Sequence, residues 1–123
     1  MVKHKKTTLI LGASLNPERY SFKATKKLIE KKIKVFLVGR NKGQINGINI
    51  NNKFPLDREI HTISIYLNPS AQEEYVESIL SLRPKRVIFN PGTENSNLSN
   101  LLFLKEIECE NSCTLILLST NQY

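Results

Sequence analysis

The sequence predicts an α/β domain: a single doubly wound, mainly parallel sheet of five or six strands with helices on both faces. Three observations carry that prediction. Short runs of Val, Ile, Leu and Phe recur along the 123 residues. Segments with apolar residues three or four apart lie between them, and Gly, Pro or Asn punctuates most of the boundaries. Short strands that are apolar along their whole length need cover on both faces, which the right-handed helical crossovers of a parallel sheet supply.

Taken in order, Thr7-Thr8-Leu9-Ile10-Leu11 is a β-favouring run that stops at Gly12. From Tyr20 to Lys32, Ala24, Leu28 and Ile29 recur at helical spacing among lysines. Lys34-Val35-Phe36-Leu37-Val38 is a second strand. Residues 39–60, rich in Asn, Gly and Lys, read as loop with one short strand around Ile48 to Ile50. His61 to Leu67 is a further strand, halted by Asn68-Pro69, with Ser70 placed to cap a helix whose stripe is Tyr75, Val76, Ile79, Leu80 and Leu82. Pro84 ends that helix, and Arg86-Val87-Ile88-Phe89 is a strand stopped by Asn90-Pro91-Gly92. A helix over Asn97 to Glu108 and a last strand, Thr114 to Leu118, complete the chain. No repeat, low-complexity tract or linker divides it, so residues 1–123 read as one domain with a flexible basic arm at 1–6.

Composition excludes several classes. Cys109 and Cys113 lie four apart with no other cysteine, so neither a disulfide framework nor a four-ligand zinc site can be written. No apolar run approaches the ~18 residues of a membrane span. A soluble cytoplasmic domain without a metal site is therefore expected. Charge is unevenly placed. Residues 1–43 hold 12 of the 18 Lys and Arg against two acids, Glu18 and Glu30, a local charge of +10. The remainder, with six bases and nine acids, carries −3. The asymmetry suggests an anionic partner near the N-terminal half, either nucleic acid or a phosphorylated cofactor.

A doubly wound sheet binds ligands outside the carboxyl ends of its strands, where the strand order reverses. The segments to read are Gly12 to Ser21, Gly39 to Gly43, Asn68 to Ser70 and Asn90 to Asn95. In the first, Gly12 lets the backbone approach a diphosphate, and amides at the following helix N-terminus would bind its charge. Arg19 offers a forked donor for phosphate oxygens, and Ser21 can cap the helix or donate to phosphate. The three-glycine dinucleotide fingerprint is absent, since Gly12 stands alone. After the second strand, where a ribose-binding acid would sit, the chain reads Val38-Gly39-Arg40-Asn41-Lys42. A base there favours a phosphate on the adenosine ribose, which NADP and coenzyme A carry and NAD lacks.

The pattern Gly12-Ala13-Ser14-x-Asn16-Pro17-x-Arg19-x-Ser21, then Asn68-Pro69, then Phe89-Asn90-Pro91-Gly92-Thr93-Glu94-Asn95, resembles the small stand-alone CoA-binding proteins. Their fold is similar to the CoA-binding domain of succinyl-CoA synthetase. The resemblance runs from about Thr8 to Leu118 and implies a Rossmann-like CoA-binding domain. It implies that Gly12, Ala13 and Ser14, with Arg19 and Ser21, hold the phosphates. The loop at Gly39 and Arg40 would lie by adenosine, while Asn68-Pro69 and Pro91 to Asn95 flank the rest of the ligand. Two positions depart from the family pattern: Val38-Gly39-Arg40 replaces the usual Val-Asn-Pro, and Tyr20 stands where proline is common.

No catalytic residue is assigned. His4 lies in the basic arm, and His61 starts a strand at the opposite end of the sheet from the expected site. Cys113, before the last predicted strand, falls at that wrong edge too, and Cys109 is expected partly buried on a helix end or loop. Glu94 is the titratable group at the right end, expected to accept backbone amides at the start of the last helix. The expectation is a CoA or acyl-CoA binding module without catalytic activity of its own. An NADP-binding reductase-like domain and a nucleic-acid-binding protein are the alternatives. Against the last, no helix-turn-helix, RNP-type strand or zinc spacing is present. Ile and Leu on edge elements suggest a homodimer.

Overall fold

A computed structural model describes residues 6–123. The strands are β1 (Thr8–Leu11), β2 (Val35–Val38), β3 (Gly43–Ile45), β4 (Ile48–Asn51), β5 (Thr62–Ile65), β6 (Arg86–Phe89) and β7 (Glu108–Asn111). They form one sheet in the order β3-β4-β2-β1-β5-β6-β7, parallel throughout except for the β3–β4 hairpin. The helices are α1 (Tyr20–Glu30), α2 (Pro69–Gln72), α3 (Val76–Leu82), α4 (Ser96–Leu104) and α5 (Thr114–Ser119), with a 3-10 turn at Glu73–Tyr75 between α2 and α3. The doubly wound α/β class predicted from the sequence is the fold observed.

The strand alternation sorts the core into two layers. Leu9, Leu11, Ile63, Ile65, Val87 and Phe89 pack with Ile79 of α3 and Leu98 and Leu102 of α4. On the other face, Ile10, Val35 and Leu37 pack with Ala24 and Leu28 of α1 and Leu118 of α5. Neighbours of β1 are β2 on one side and β5 on the other, so the chain reverses its direction of winding between β1 and β5. That places a crevice at their carboxyl ends, where the loops after Leu11 and Ile65 diverge.

Several elements differ from expectation. The sheet has seven strands, because Gly43–Ile45 pairs antiparallel with β4 through a turn at Asn46 (φ 50°) and Gly47 (φ 83°). This Asn-Gly pair is a hairpin turn within a stretch read as mostly loop. The predicted last strand, Thr114 to Leu118, is α5, which buries Thr114 and Leu118 one helical turn apart and leaves Ile116 61% exposed. The strand lies earlier, at Glu108–Asn111, which the prediction had partly assigned to the preceding helix. β7 is a sheet edge, half exposed and polar, so it carries no apolar run to signal it. Asn68, not Ser70, caps α2: its Oδ1 accepts from Ala71 N at 2.8 Å, because Pro69 occupies the first helical position. The first helix ends at Glu30, where Lys32 turns left-handed (φ 62°).

Of the basic arm expected over residues 1–6, Lys6 is held, its Nζ donating to the Tyr123 backbone oxygen at 2.6 Å; the rest, His4 included, lies outside the described residues. Among the described residues no helix is long and apolar enough to cross a membrane, and no cluster of His, Cys, Asp or Glu suited to a metal ion is present.

Candidate functional site

The turn after β1 is built by two glycines. Gly12 has φ +99°, a conformation that favours glycine, and a Cβ there would lie 3.0 Å from the Leu67 side chain. Gly39 permits a close approach: a Cβ would sit 2.6 Å from the Ala13 carbonyl oxygen. With that space empty, the amides of Gly12 and Ala13 both donate to the Val38 oxygen, at 2.8 and 2.9 Å. The end of β1 is thereby sewn to the end of β2. These two amides are engaged within the fold, so the donors left to a ligand lie further along the loop.

The loop then organises itself. Asn16 N donates to Ser14 Oγ (3.0 Å), Glu18 N to Asn16 Oδ1 (2.9 Å) and Arg19 N to the Asn16 oxygen (3.0 Å). Arg19 occupies the N-cap of α1 in extended conformation and gives no side-chain cap; Ser21, expected either to cap the helix or to donate to phosphate, is the second helical residue and not the cap. The amides of Ser14, Leu15, Tyr20 and Ser21 meet no acceptor among the described residues. Arg19 is exposed and forms no ion pair among the described residues. Two of these N–H groups, those of Tyr20 and Ser21, open the 11-residue helix α1 next to Arg19, and the positive end of a helix suits an anion.

Beside this turn, on the α3 face of the sheet, a cavity of about 270 Å³ is lined by Gly12, Gly39, Arg40, Asn52, Leu67 and Tyr75, among others. Arg40, exposed at the end of β2, thus shares a concavity with the first turn. Tyr75 stacks on Phe54 with ring centroids 5.7 Å apart. Burial, with help from nearby Glu74, pushes its hydroxyl pKa up, while Arg40 pulls it down. Asn52 and Tyr75 escaped the sequence reading. Asn52 follows a strand only partly foreseen, and Tyr75 reads as a plain member of a helical stripe.

The loops after β5 and β6 are tied to each other and to the core. Gln72, fully buried, donates to the Leu67 and Thr93 carbonyls (both 2.8 Å) and accepts from Asn95 Nδ2 (2.8 Å). Asn90, 2% exposed, donates from Nδ2 to Ser64 Oγ and the Ile65 oxygen, both at 2.9 Å. Its Oδ1 accepts from Thr114 N at 2.8 Å. Thr93 Oγ1 donates to the Asn90 oxygen (2.7 Å). Asn95 caps α4 through Leu98 N (3.1 Å), the role expected of Glu94, whose Oε1 instead accepts from Gly92 N (2.9 Å). Of the residues expected to flank a ligand here, Asn68, Pro69, Pro91, Gly92 and Glu94 face solvent, whereas Asn90 and Thr93 are internal ties.

A second and larger cavity, about 500 Å³, opens on the α1/α5 face, lined by Tyr20, Tyr66, Pro91, Cys113, Leu115 and Ile116 above Asn90. Cys113 corrects an expectation: it follows β7 and forms the N-cap of α5, so it lies at the carboxyl end of the sheet. Its misplacement came from taking α5 for a strand. Burial pushes the Tyr66 hydroxyl pKa up to about 12. His61 is at the opposite end of the sheet, as expected, its Nδ1 2.7 Å from Thr62 Oγ1. Burial and the neighbouring Arg86 charge hold its pKa below the usual histidine value.

Comparison with known proteins bears on the fold and the family. Among curated proteins, none matches the chain. The crystal structure of an uncharacterized protein superposes with a TM-score of 0.94 at 41% identity, covering 98% of this chain and 100% of the other. A Thermus thermophilus protein matches with a TM-score of 0.86 at 20% identity, over 97% of this chain and 91% of the other. A hypothetical protein from Pyrococcus horikoshii OT3 matches at 0.80 and 25% identity, over 90% of this chain and 80% of the other. The model of the CoA binding domain family matches residues 6–119. With the Gly12 turn, the β1/β5 crevice and the Asn90–Asn95 loop all inside that span, the chain belongs to the CoA binding domain family.

Proposed function

We propose that this protein binds coenzyme A or an acyl-CoA, with the diphosphate at the turn after β1, and does no chemistry on it unaided. The observation that carries the reading is the group of amides of Ser14, Leu15, Tyr20 and Ser21, which lack acceptors among the described residues and bracket Arg19. Anionic oxygens are suitable acceptors for such donors. Adenosine and its ribose phosphate then fall to the cavity at Gly39 and Arg40. The pantetheine arm runs toward Pro91 and Gly92. Cys109 and Cys113 are free thiols, which suits a reducing, cytoplasmic setting.

Arg40 equally suits the ribose phosphate of NADP, so the test includes both nucleotides. Calorimetric titration of the protein with CoA, NADP and NAD should show saturable binding of CoA alone. Arg19→Ala should weaken CoA binding by ~1.5–3 kcal/mol through lost charged hydrogen bonds. Tight NADP binding without CoA binding overturns the assignment; an unchanged dissociation constant removes Arg19 from the site.

A further inference from the structure

The outer side of α4 carries no charge. Charged residues make up 24% of the chain, yet none falls between Asn95 and Leu104. By contrast, α1 turns Lys23, Lys26 and Glu30 to solvent. Leu98 and Leu102, one helical turn apart, are buried and fix the inner side of α4. That orientation leaves Leu101, Phe103 and Leu104 exposed at 41%, 78% and 74%. Ser96, Asn97 and Asn100 are exposed with them. A surface helix usually sets charged and polar groups on that side. An uncharged face with aliphatic and aromatic side chains has instead the composition of an interface core. The short α5 is also uncharged, but a single large apolar side chain, Ile116, is exposed on it.

The face is its own complement. Hydroxyls and carboxamides both donate and accept, so Ser96, Asn97 and Asn100 can pair with their counterparts across a twofold axis. Charge lies only at the ends: Glu94 precedes α4, Lys105 and Glu106 follow it, and all three are exposed. Antiparallel apposition sets Lys105 of one copy beside Glu94 of the other and opposes the two helix dipoles. Elsewhere two copies of a chain with net charge +7 repel, as through the lysines of α1. At α4 they meet without that repulsion. Leu101, Phe103 and Leu104 offer roughly 300–400 Å² of apolar surface, about half of the ~800 Å² per partner of a standard interface. The polar half of the face adds to it, which sets a dimer of moderate strength.

We infer that α4 is the contact of a homodimer, in which two copies of this chain meet antiparallel through Leu101, Phe103 and Leu104.

Sedimentation equilibrium of the full chain from ~5 to ~300 µM tests this. The variants are Leu104→Lys and Phe103→Lys, with Ile116→Lys as a control of equal charge on the opposite face of the sheet. All three side chains are exposed, so each variant keeps the fold, checked by an unchanged urea midpoint. The wild type should rise from 14.1 kDa toward twice that mass, with a dissociation constant of about 10–100 µM. Leu104→Lys and Phe103→Lys should each weaken association at least ~10-fold, and Ile116→Lys should leave it unchanged. A wild type that stays monomeric throughout overturns the inference and leaves the face to a different protein. A dimer that survives both α4 substitutions, or one that Ile116→Lys disrupts equally, overturns the placement of the contact.

Discussion

Replacing Asn90 by alanine should cost stability first. The carboxamide makes three hydrogen bonds that join β5, β6 and the start of α5: to Ser64 Oγ and the Ile65 oxygen (both 2.9 Å) and from Thr114 N (2.8 Å). At about 1 kcal/mol per bond, with a further ~1 kcal/mol for the buried Thr114 amide left without an acceptor, Asn90→Ala loses about 4 kcal/mol. Ser64 Oγ keeps its bond to Thr114 Oγ1, so it adds nothing to that loss. For a chain of this length the change lowers Tm by about 15 °C. Equilibrium urea unfolding followed by circular dichroism measures it, as a fall in the midpoint with the slope preserved. A loss under ~1.5 kcal/mol would show that water replaces these bonds, and would refute the reading of Asn90 as an internal tie.

Three further outcomes follow from the geometry. Gly39→Ala places a Cβ 2.6 Å from the Ala13 oxygen, against backbone that cannot yield cheaply; stability should fall by about 1–3 kcal/mol in the same unfolding assay, and a neutral result would mean that the β1 turn is free to shift. Arg40→Ala should erase most of the difference in affinity between CoA and dephospho-CoA, about 1.5 kcal/mol, measured by calorimetry; an unchanged difference places the ribose phosphate elsewhere. Burial and Arg86 lower the pKa of His61 in the folded state, so the unfolded chain takes up a proton first as pH falls below the ordinary value of 6.5. Stability should therefore decline on acidification from pH 7 toward 5, and His61→Gln should show a shallower decline in thermal melts; identical slopes would show that His61 titrates alike in both states.

The parallel core of the sheet was legible because burial on both faces leaves its mark on composition. Leu9 to Leu11, Val35 to Val38 and Val87 to Phe89 are apolar without interruption, and Gly or Asn-Pro closes each one. The polar loops of the candidate site were legible for the same reason: a parallel strand that ends in Gly12, Gly39 or Asn90 announces a polar loop at its carboxyl edge. The edges were not. β7 is half-solvated, so Glu108-Cys109-Glu110-Asn111 carries no strand pattern, and the apolar run Leu115 to Leu118 imitates a strand while forming one short helix.

Within the candidate site, sequence determined the residue types and their place in the chain, the Gly-Ala-Ser turn, Arg19, Arg40 and the Asn-Pro-Gly loop. Only the tertiary structure decided which of their groups remain available. Hydrogen bonding among distant segments engages the Gly12 and Ala13 amides at Val38 and turns Asn90 inward, and α5 brings Cys113 to the carboxyl edge beside Tyr66 and Ile116. Local sequence cannot report those outcomes, because each depends on a partner that chain folding supplies from 24 or more residues away.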